Sequence, residues 1–305
     1  MELNNSKKQY VIYDTNCFVE KITKNKDTIN QRFVFTDINL FEWLKGKNKE
    51  IRREEFNKID SFIKSNNGDY LFRENLQHLE RKFKSREKSE IKFMIADQIS
   101  IRVFKDLFNL YVTLLHILAL LICIKKIGTK IIKENKEFSV ESNNDLISHL
   151  VNHAFVESSR HFSKKQTHVL CDALYSQPKE MIDQFGLKLF NVFVDQINKL
   201  VGDKYGLKYI SGKSINNNTI VHYNHLNLDS SYIDTAIETF LDAKQNEVQT
   251  KDFVKYIFKS FLLTSGKFEF NDVADFYLNY ISETLGVDFI SNDDRFKRNL
   301  SISKN

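Results

Sequence analysis

The first part of the chain alternates short apolar runs with helix-like segments. The runs "QYVIYD", "RFVFTDI" and "DYLF" predict strands at residues 9–14, 32–38 and 69–72. The stretches between them predict one helix over residues 16–25 and a second over residues 39–68. Strands that alternate with helices are typical of parallel pairing, so the pattern predicts an open α/β sheet.

From residue 74 to residue 264 the pattern changes to long charged segments with heptad-like apolar spacing. Residues 179–201 are an example, and Pro178 stands where such a helix would begin. The strand and helix alternation then returns, with a helix predicted from Asp272, Gly286 as its terminator and the strand "VDFIS" after it. We therefore predict a discontinuous α/β domain, residues 1–73 and 265–305, interrupted by a helical insertion at residues 74–264.

The composition agrees with a helix-rich protein. One proline and nine glycines among 305 residues are too few for a turn-dense β-sandwich or barrel. The net charge of +5 is compatible with a nucleic-acid partner but does not demonstrate one. The basic runs at residues 81–92 and 125–136 are either solvated helix faces or phosphate contacts.

The cellular environment is predicted from the cysteines and from one apolar segment. Cys17, Cys123 and Cys171 lie far apart, which is typical of reduced thiols in a cytoplasmic protein. Residues 107–124 carry no formal charge and reach the length of roughly 18 residues at which a membrane span is considered. Polar residues inside the segment and charged helical sequence on both sides favour a buried helix over a membrane span.

Acidic side chains stand at the ends of the first and last predicted strands. Asp14 ends the first strand, and Asp293 and Asp294 follow the last one. Ligands of open parallel sheets bind beyond the carboxyl ends of the strands, where the strand order reverses. If these two strands are neighbours, the carboxylates of Asp14 and Asp293 face each other.

Further acids are predicted to reach the same edge of the sheet. Asp272 and Asp275 are spaced i,i+3 in one helix and share a face, and Glu42 follows the second strand at the start of its helix. Carboxylates that lie close together need a proton or a cation, and oxygen donors favour Mg²⁺ or Mn²⁺. Helix capping would explain Asp272 or Glu42 alone, and a turn would explain Asp293 and Asp294. A paired-histidine metal site at His149 and His153 is a weaker alternative.

Three segments together resemble the PIN-domain family of metal-dependent nucleases. "VIYDTNCFV" resembles that family's first strand and its leading aspartate, here Asp14, and "FTDINLFEWL" is similar to the second strand and the acid after it, here Glu42. "DFYLNYISETLGVDFISNDDRF" resembles the terminal motif. In this sequence the positions of that motif are occupied by Asp275, Ser291, Asn292, Asp293 and Phe296.

The resemblance implies a Rossmann-like sheet of strand order 3-2-1-4-5 and cleavage of phosphodiester bonds within a strand, usually of single-stranded RNA, with Mg²⁺ or Mn²⁺. DNA remains an alternative substrate, and the toxin branch of the family implies an antitoxin or other regulatory protein as partner. We expect the metals to be bound by catalytic acids, which are Asp14, Glu42, Asp275 and Asp293, with Asp272 as an additional ligand. We expect Asn16 and Ser291 to orient these acids, and Asp294 to support them without contacting the metal.

A non-catalytic protein is the alternative to a nuclease. In it a PIN-like sheet has lost its activity, and the helical block binds a protein partner or a membrane surface.

Overall fold

The computed structural model describes residues 10–23, 32–66, 68–72, 88–134, 164–205, 230–243, 248–262, 269–294 and 296. The strands in these ranges are β1 (Tyr10–Tyr13), β2 (Arg32–Thr36), β3 (Asp69–Leu71) and β4 (Asp288–Ile290). The helices are α1 (Thr15–Thr23), α2 (Asp37–Leu44), α3 (Lys49–Ser65), α4 (Lys88–Glu134), α5 (Lys164–Tyr175), α6 (Lys179–Tyr205), α7 (Ser230–Ala243), α8 (Val248–Leu262) and α9 (Phe270–Leu285).

The four described strands form one parallel sheet in the order β3-β2-β1-β4. β1 therefore lies beside β4, the strand furthest from it in sequence, and Tyr13 is paired with Ile290. The prediction of an α/β protein with a parallel sheet flanked by helices is confirmed. The fifth strand of the expected order would follow Phe296, outside the described residues.

The two central strands are buried on both faces. Val11 and Ile12 of β1 and Phe33 and Phe35 of β2 are fully buried. Phe18 of α1 packs on the two phenylalanines, with ring centroids 5.3 and 5.1 Å apart. Continuous apolar runs of this kind are characteristic of parallel strands covered by helices on both sides.

The connection from β2 to the helices differs from the predicted one. Thr36 caps α2 through a reciprocal pair of hydrogen bonds with Asn39, so the strand ends at Thr36 and the helix begins at Asp37. The single helix predicted over residues 39–68 is wrong, because it is divided into α2 and α3. Gly46 has a φ of +71°, which ends α2, and the Asn48 side chain accepts a hydrogen bond from the Ile51 amide as the cap of α3.

The chain divides into two compact units. The first unit comprises Met1–Leu107, Cys171–Pro178 and Ala274–Arg298, and it contains the sheet. The second comprises Phe108–Leu170, Lys179–Val273 and Asn299–Asn305. The predicted domain boundaries at residues 73 and 265 stay a prediction.

The apolar segment that begins at Leu107 contributes to the core of the second unit. The buried side chains of α4 in this unit include Phe108, Leu114, Leu115 and Leu118. His116 is also buried and stacks on Phe193, with ring centroids 4.2 Å apart. Among the described residues, no helix has the length and apolar character needed to cross a membrane. His149, His153 and the side chains of the basic run at residues 125–136 lie outside the described part of the chain.

Candidate metal centre

Three carboxylates converge in the sheet-containing unit. Asp14, Glu42 and Asp275 each offer one oxygen atom, and these three atoms lie within 4.8 Å of one another. Asp14 directly follows β1, and Asp275 lies in the second turn of α9. Glu42 also lies in a second turn, that of α2, rather than at the start of the helix as predicted. The three acids come from positions far apart in sequence, so the fold itself assembles the cluster.

Asp14 is held by the neighbouring strand. Its carboxylate is buried, and Oδ2 accepts a hydrogen bond of 3.0 Å from the Ser291 hydroxyl. The Asn16 backbone amide lies 3.4 Å from Oδ1, and the Asp14 amide continues the β1–β4 ladder by donating to the Ile290 carbonyl at 2.8 Å. Both strand ends therefore fix the position of this carboxylate. Ser291 and Asn16, which were predicted as supporting residues, both contact this carboxylate, Asn16 through its backbone amide, and their roles stay a prediction.

Glu42 is held by a series of side-chain hydrogen bonds that was not predicted from the sequence. The Thr15 hydroxyl donates to Glu42 Oε2 at 2.6 Å, and it accepts from the side-chain amide of Asn39 at 3.1 Å. The same amide group lies 2.9 Å from the Tyr13 carbonyl oxygen, and Asn39 is fully buried. The cap formed by Thr36 and Asn39 thus links the end of β2 to the end of β1 and to Thr15, which contacts Glu42. The signal in the sequence was "TDIN", a capping-box spacing in which asparagine replaces the usual glutamate or glutamine.

The cluster concentrates negative charge where access of solvent is reduced, because Asp14 is buried and Glu42 and Asp275 are half-buried. Burial raises the pKa of Asp14, the hydrogen bonds from Ser291 and the backbone oppose that shift, and the charge of Asp293 adds to it. Burial also raises the pKa of Glu42, against the effects of Lys45 and of the Thr15 hydrogen bond, and the charge of Asp14 adds to the shift. Carboxylates in such a setting bind either a proton or a cation.

The remaining predicted acids have different surroundings. Asp293 is near enough for its charge to act on Asp14, but it is not one of the three acids of the cluster. Its backbone amide donates to the Ser291 hydroxyl at 3.0 Å, and its Oδ1 accepts from the Phe296 amide at 3.1 Å. Asp294 is exposed. Asp272 accepts a hydrogen bond of 2.6 Å from the Glu269 amide, the contact of a helix-capping residue.

The loop after β4 is fixed by an aromatic anchor. The Phe296 ring lies 5.4 Å from that of Phe276 on α9 and 5.5 Å from that of Phe289 on β4. Since the Asp293 carboxylate accepts from the Phe296 amide, this packing holds the turn in which Asp293 lies. The loop therefore presents Ser291 and Asp293 to Asp14 in a defined arrangement.

The donor set of the cluster fits a hard divalent cation. All three candidate ligands are carboxylates, and among the residues that the structure describes no histidine or cysteine joins them. Mg²⁺ takes oxygen ligands at about 2.0–2.1 Å, so two ligands of one ion lie up to about 4.2 Å apart. The three oxygen atoms lie within 4.8 Å of one another, which is close to the separations that one such ion requires.

Compared with known proteins, the chain matches no protein-family model, no curated protein and no solved structure.

We expect the Thr15→Val substitution to weaken Mn²⁺ binding by about 10- to 100-fold, the range typical of partners that orient a metal ligand. Valine keeps the shape of threonine but removes the hydroxyl that donates to Glu42. Isothermal titration with Mn²⁺ measures the change. Thr23→Val is the matched control, because among the described residues that hydroxyl donates to backbone carbonyls at the exposed end of α1. Equal affinities of the two variants would contradict a role of Thr15 in positioning Glu42.

Proposed function

We propose that this chain is a metal-dependent endonuclease that hydrolyses phosphodiester bonds, with single-stranded RNA as its substrate. The observation that carries the proposal is the convergence of the Asp14, Glu42 and Asp275 carboxylates within 4.8 Å. Hydrolysis of this kind needs several acids that bind divalent ions and needs no nucleophilic side chain. The residues that resemble the PIN-domain motifs include all three of these acids.

The place of the cluster in the sheet supports the same proposal. After β3 the chain returns across the sheet to form β4 on the other side of β1, so the strand order reverses between β1 and β4. Asp14 and Ser291 stand at the carboxyl ends of these two strands. The crevice at such a reversal is the general ligand-binding place of open α/β sheets.

In this proposal some residues bind the metal ions and others orient the side chains that bind them. Asp14, Glu42 and Asp275 would hold Mg²⁺ or Mn²⁺, which when bound activates water and neutralises charge on the phosphodiester. Ser291 fixes one oxygen of Asp14, and Thr15 fixes one oxygen of Glu42. Asp293 adds negative charge close to Asp14, and in this proposal it is the fourth acid at this edge of the sheet.

The helical block and the cellular setting belong to the same proposal. The basic runs at residues 81–92 and 125–136 would contact the phosphates of the nucleic acid. A regulatory partner such as an antitoxin, and a cytoplasmic location, are further parts of the proposal.

Cleavage assays test the proposal directly. The purified chain is incubated with end-labelled single-stranded RNA, double-stranded RNA and single-stranded DNA, each with Mn²⁺, Mg²⁺ or EDTA. We expect internal cuts in the single-stranded RNA with either metal and none with EDTA. If no substrate is cut under any condition and Mn²⁺ leaves the melting temperature unchanged, the nuclease proposal fails. The alternative of a non-catalytic protein is then favoured.

We expect the stabilisation by Mn²⁺ to grow as the pH rises. The folded-state pKa values of Asp14 and Glu42 are raised, so the folded chain binds protons more tightly than the unfolded chain. The free energy of unfolding of the metal-free protein therefore falls as the pH rises from about 4 through these raised values. Mn²⁺ competes with the protons and removes this loss.

Melting temperatures measured with EDTA and with Mn²⁺ between pH 4.5 and 8 check this expectation. The shift caused by Mn²⁺ should be smallest at the acidic end and largest at the basic end. A shift of equal size across the whole range would show that the ion binds elsewhere.

A further inference from the structure

A pocket of about 360 Å³ opens beside the carboxylate cluster, between α1 and the end of β4. Its volume is in the range of small-molecule sites. The residues that line it are Tyr13, Cys17, Glu20, Lys21, Ile290 and Asn292. The cluster and the mechanism proposed for it use none of these side chains.

The pocket is joined to the cluster through the ends of β1 and β4. Tyr13 directly precedes Asp14, and Asn292 directly follows Ser291, whose hydroxyl donates to Asp14. The Asn292 backbone amide also donates to the Cys17 sulfur. Cys17 also lies close enough to Asp14 for the charge of that carboxylate to act on the thiol, so a group held in this pocket would lie on the Asp14 side of the cluster.

The wall combines an apolar body with a polar rim. Tyr13 and Cys17 are buried and contribute aromatic and thiol surface, and Ile290 is 37% exposed. At the rim, the Asn292 side-chain amide lies 3.3 Å from Glu20 Oε2. The ammonium group of Lys21 lies 5.2 Å from the centre of the Tyr13 ring. Flat apolar ligands with hydrogen-bonding edges match such a wall, and the unstacked bases of single-stranded RNA are ligands of this kind.

We propose that this pocket holds a nucleobase of the RNA beside the cleaved phosphate, and that it favours a base with an amino group over uracil. The proposal rests on the proposed nuclease function and adds the base preference of the same site. The carboxylate of Glu20 only accepts hydrogen bonds, and carboxylates read the amino group of cytosine in this way. Adenine and guanine also present amino groups. Uracil has no amino group: its single donor on this edge, N3–H, lies between two carbonyl oxygens, and these oxygens repel the carboxylate where an amino group would donate to it.

Base preference tests the proposal through cleavage. Single-stranded RNAs that are identical except for the base at the cleaved position are compared at equal Mn²⁺ concentration. We expect uracil to be cut at least about tenfold more slowly than cytosine or guanine, the effect of losing a hydrogen bond to a charged group. Glu20→Gln adds a donor at the rim and should bring the rates to within about twofold.

Asp288→Asn is the matched control for Glu20→Gln. It removes the same charge from an exposed position at the amino end of β4, outside the pocket lining, and should keep the wild-type preference. Glu20 is itself exposed, so both variants should fold with unchanged melting temperatures. Equal rates for all four bases in the wild type would overturn the proposal.

A second measurement does not depend on catalysis. RNA that carries a single 6-thioguanosine is bound to the wild-type chain in EDTA and irradiated, and the cross-linked peptides are mapped by mass spectrometry. Adducts on Tyr13, on Cys17 or on residues 290–292 would support the pocket. Adducts only elsewhere would overturn it.

The two measurements separate the two proposals. Cleavage without base preference and without these adducts would leave the nuclease standing and remove the pocket. Adducts in the pocket without cleavage of any RNA would support base binding and count against the nuclease.

Discussion

We expect the Asp14→Asn substitution to abolish Mn²⁺-dependent RNA cleavage, with a loss larger than the 10- to 100-fold typical of residues that only orient a metal ligand. Asparagine keeps the size of the side chain and leaves an oxygen that accepts from Ser291. It removes the negative charge that would bind the cation at the end of β1. Cleavage rates measured at saturating and at limiting Mn²⁺ separate a loss of metal binding from a loss of chemistry.

The stability of this variant should change in the opposite direction. Burial raises the pKa of Asp14, so the ionised carboxylate destabilises the metal-free fold at neutral pH. A neutral amide removes that penalty. In EDTA at pH 7.5 the melting temperature of Asp14→Asn should therefore equal or exceed that of the wild type, while its increase with Mn²⁺ should be much smaller.

Asp288→Asn is the control for the same chemical change at the opposite end of β4. It should retain both the cleavage activity and the response to Mn²⁺. A variant of Asp14 that melts well below the wild type in EDTA would indicate a structural role for this carboxylate. Full activity of Asp14→Asn would remove Asp14 from the catalytic set.

The parallel sheet followed from local patterns, whereas these patterns left open whether β1 and β4 are neighbours, and only the resemblance implied that strand order. Short apolar runs that end in acids identified both strands, and their pairing places Asp14 beside Ser291. Once the two strands are neighbours, this placement follows, because parallel strands share one carboxyl edge, whatever separates them along the chain. The size of the segment between Glu42 and Asp275 therefore does not affect the convergence of their carboxylates.

The supporting contacts were not predictable in the same way. No local pattern indicates that the Thr15 hydroxyl donates to Glu42, 27 positions away. The break between α2 and α3, where Gly46 has a positive φ, was not predicted either. Contacts of this kind depend on how the elements pack, which hydrophobic pattern alone does not specify.

The ion pair between Arg52 and Asp97 is the other interaction with a large expected effect. Arg52 Nε lies 2.6 Å from Asp97 Oδ1, and a second contact of 3.3 Å makes the pair bidentate. The side chains are only 10% and 14% exposed. Arg52 also donates to the Lys47 carbonyl at 2.7 Å, and its guanidinium lies 5.3 Å from the centre of the Tyr175 ring. The pair thus joins α3 to α4 and to the α2–α3 connection within the sheet-containing unit.

We expect Asp97→Ala to lower the free energy of unfolding by about 3–5 kcal/mol, because it leaves the buried guanidinium without its counter-charge. Urea denaturation measures the change. The double variant Arg52→Met and Asp97→Leu should recover most of the loss, since apolar side chains of similar volume replace buried ion pairs at little cost. Glu90→Ala is the matched control, because it breaks the exposed ion pair with Arg53 between the same two helices and should cost about 1 kcal/mol or less. A loss for Asp97→Ala no larger than that of the control would show that solvent already screens the pair, and that packing of apolar side chains alone holds α4 against α3.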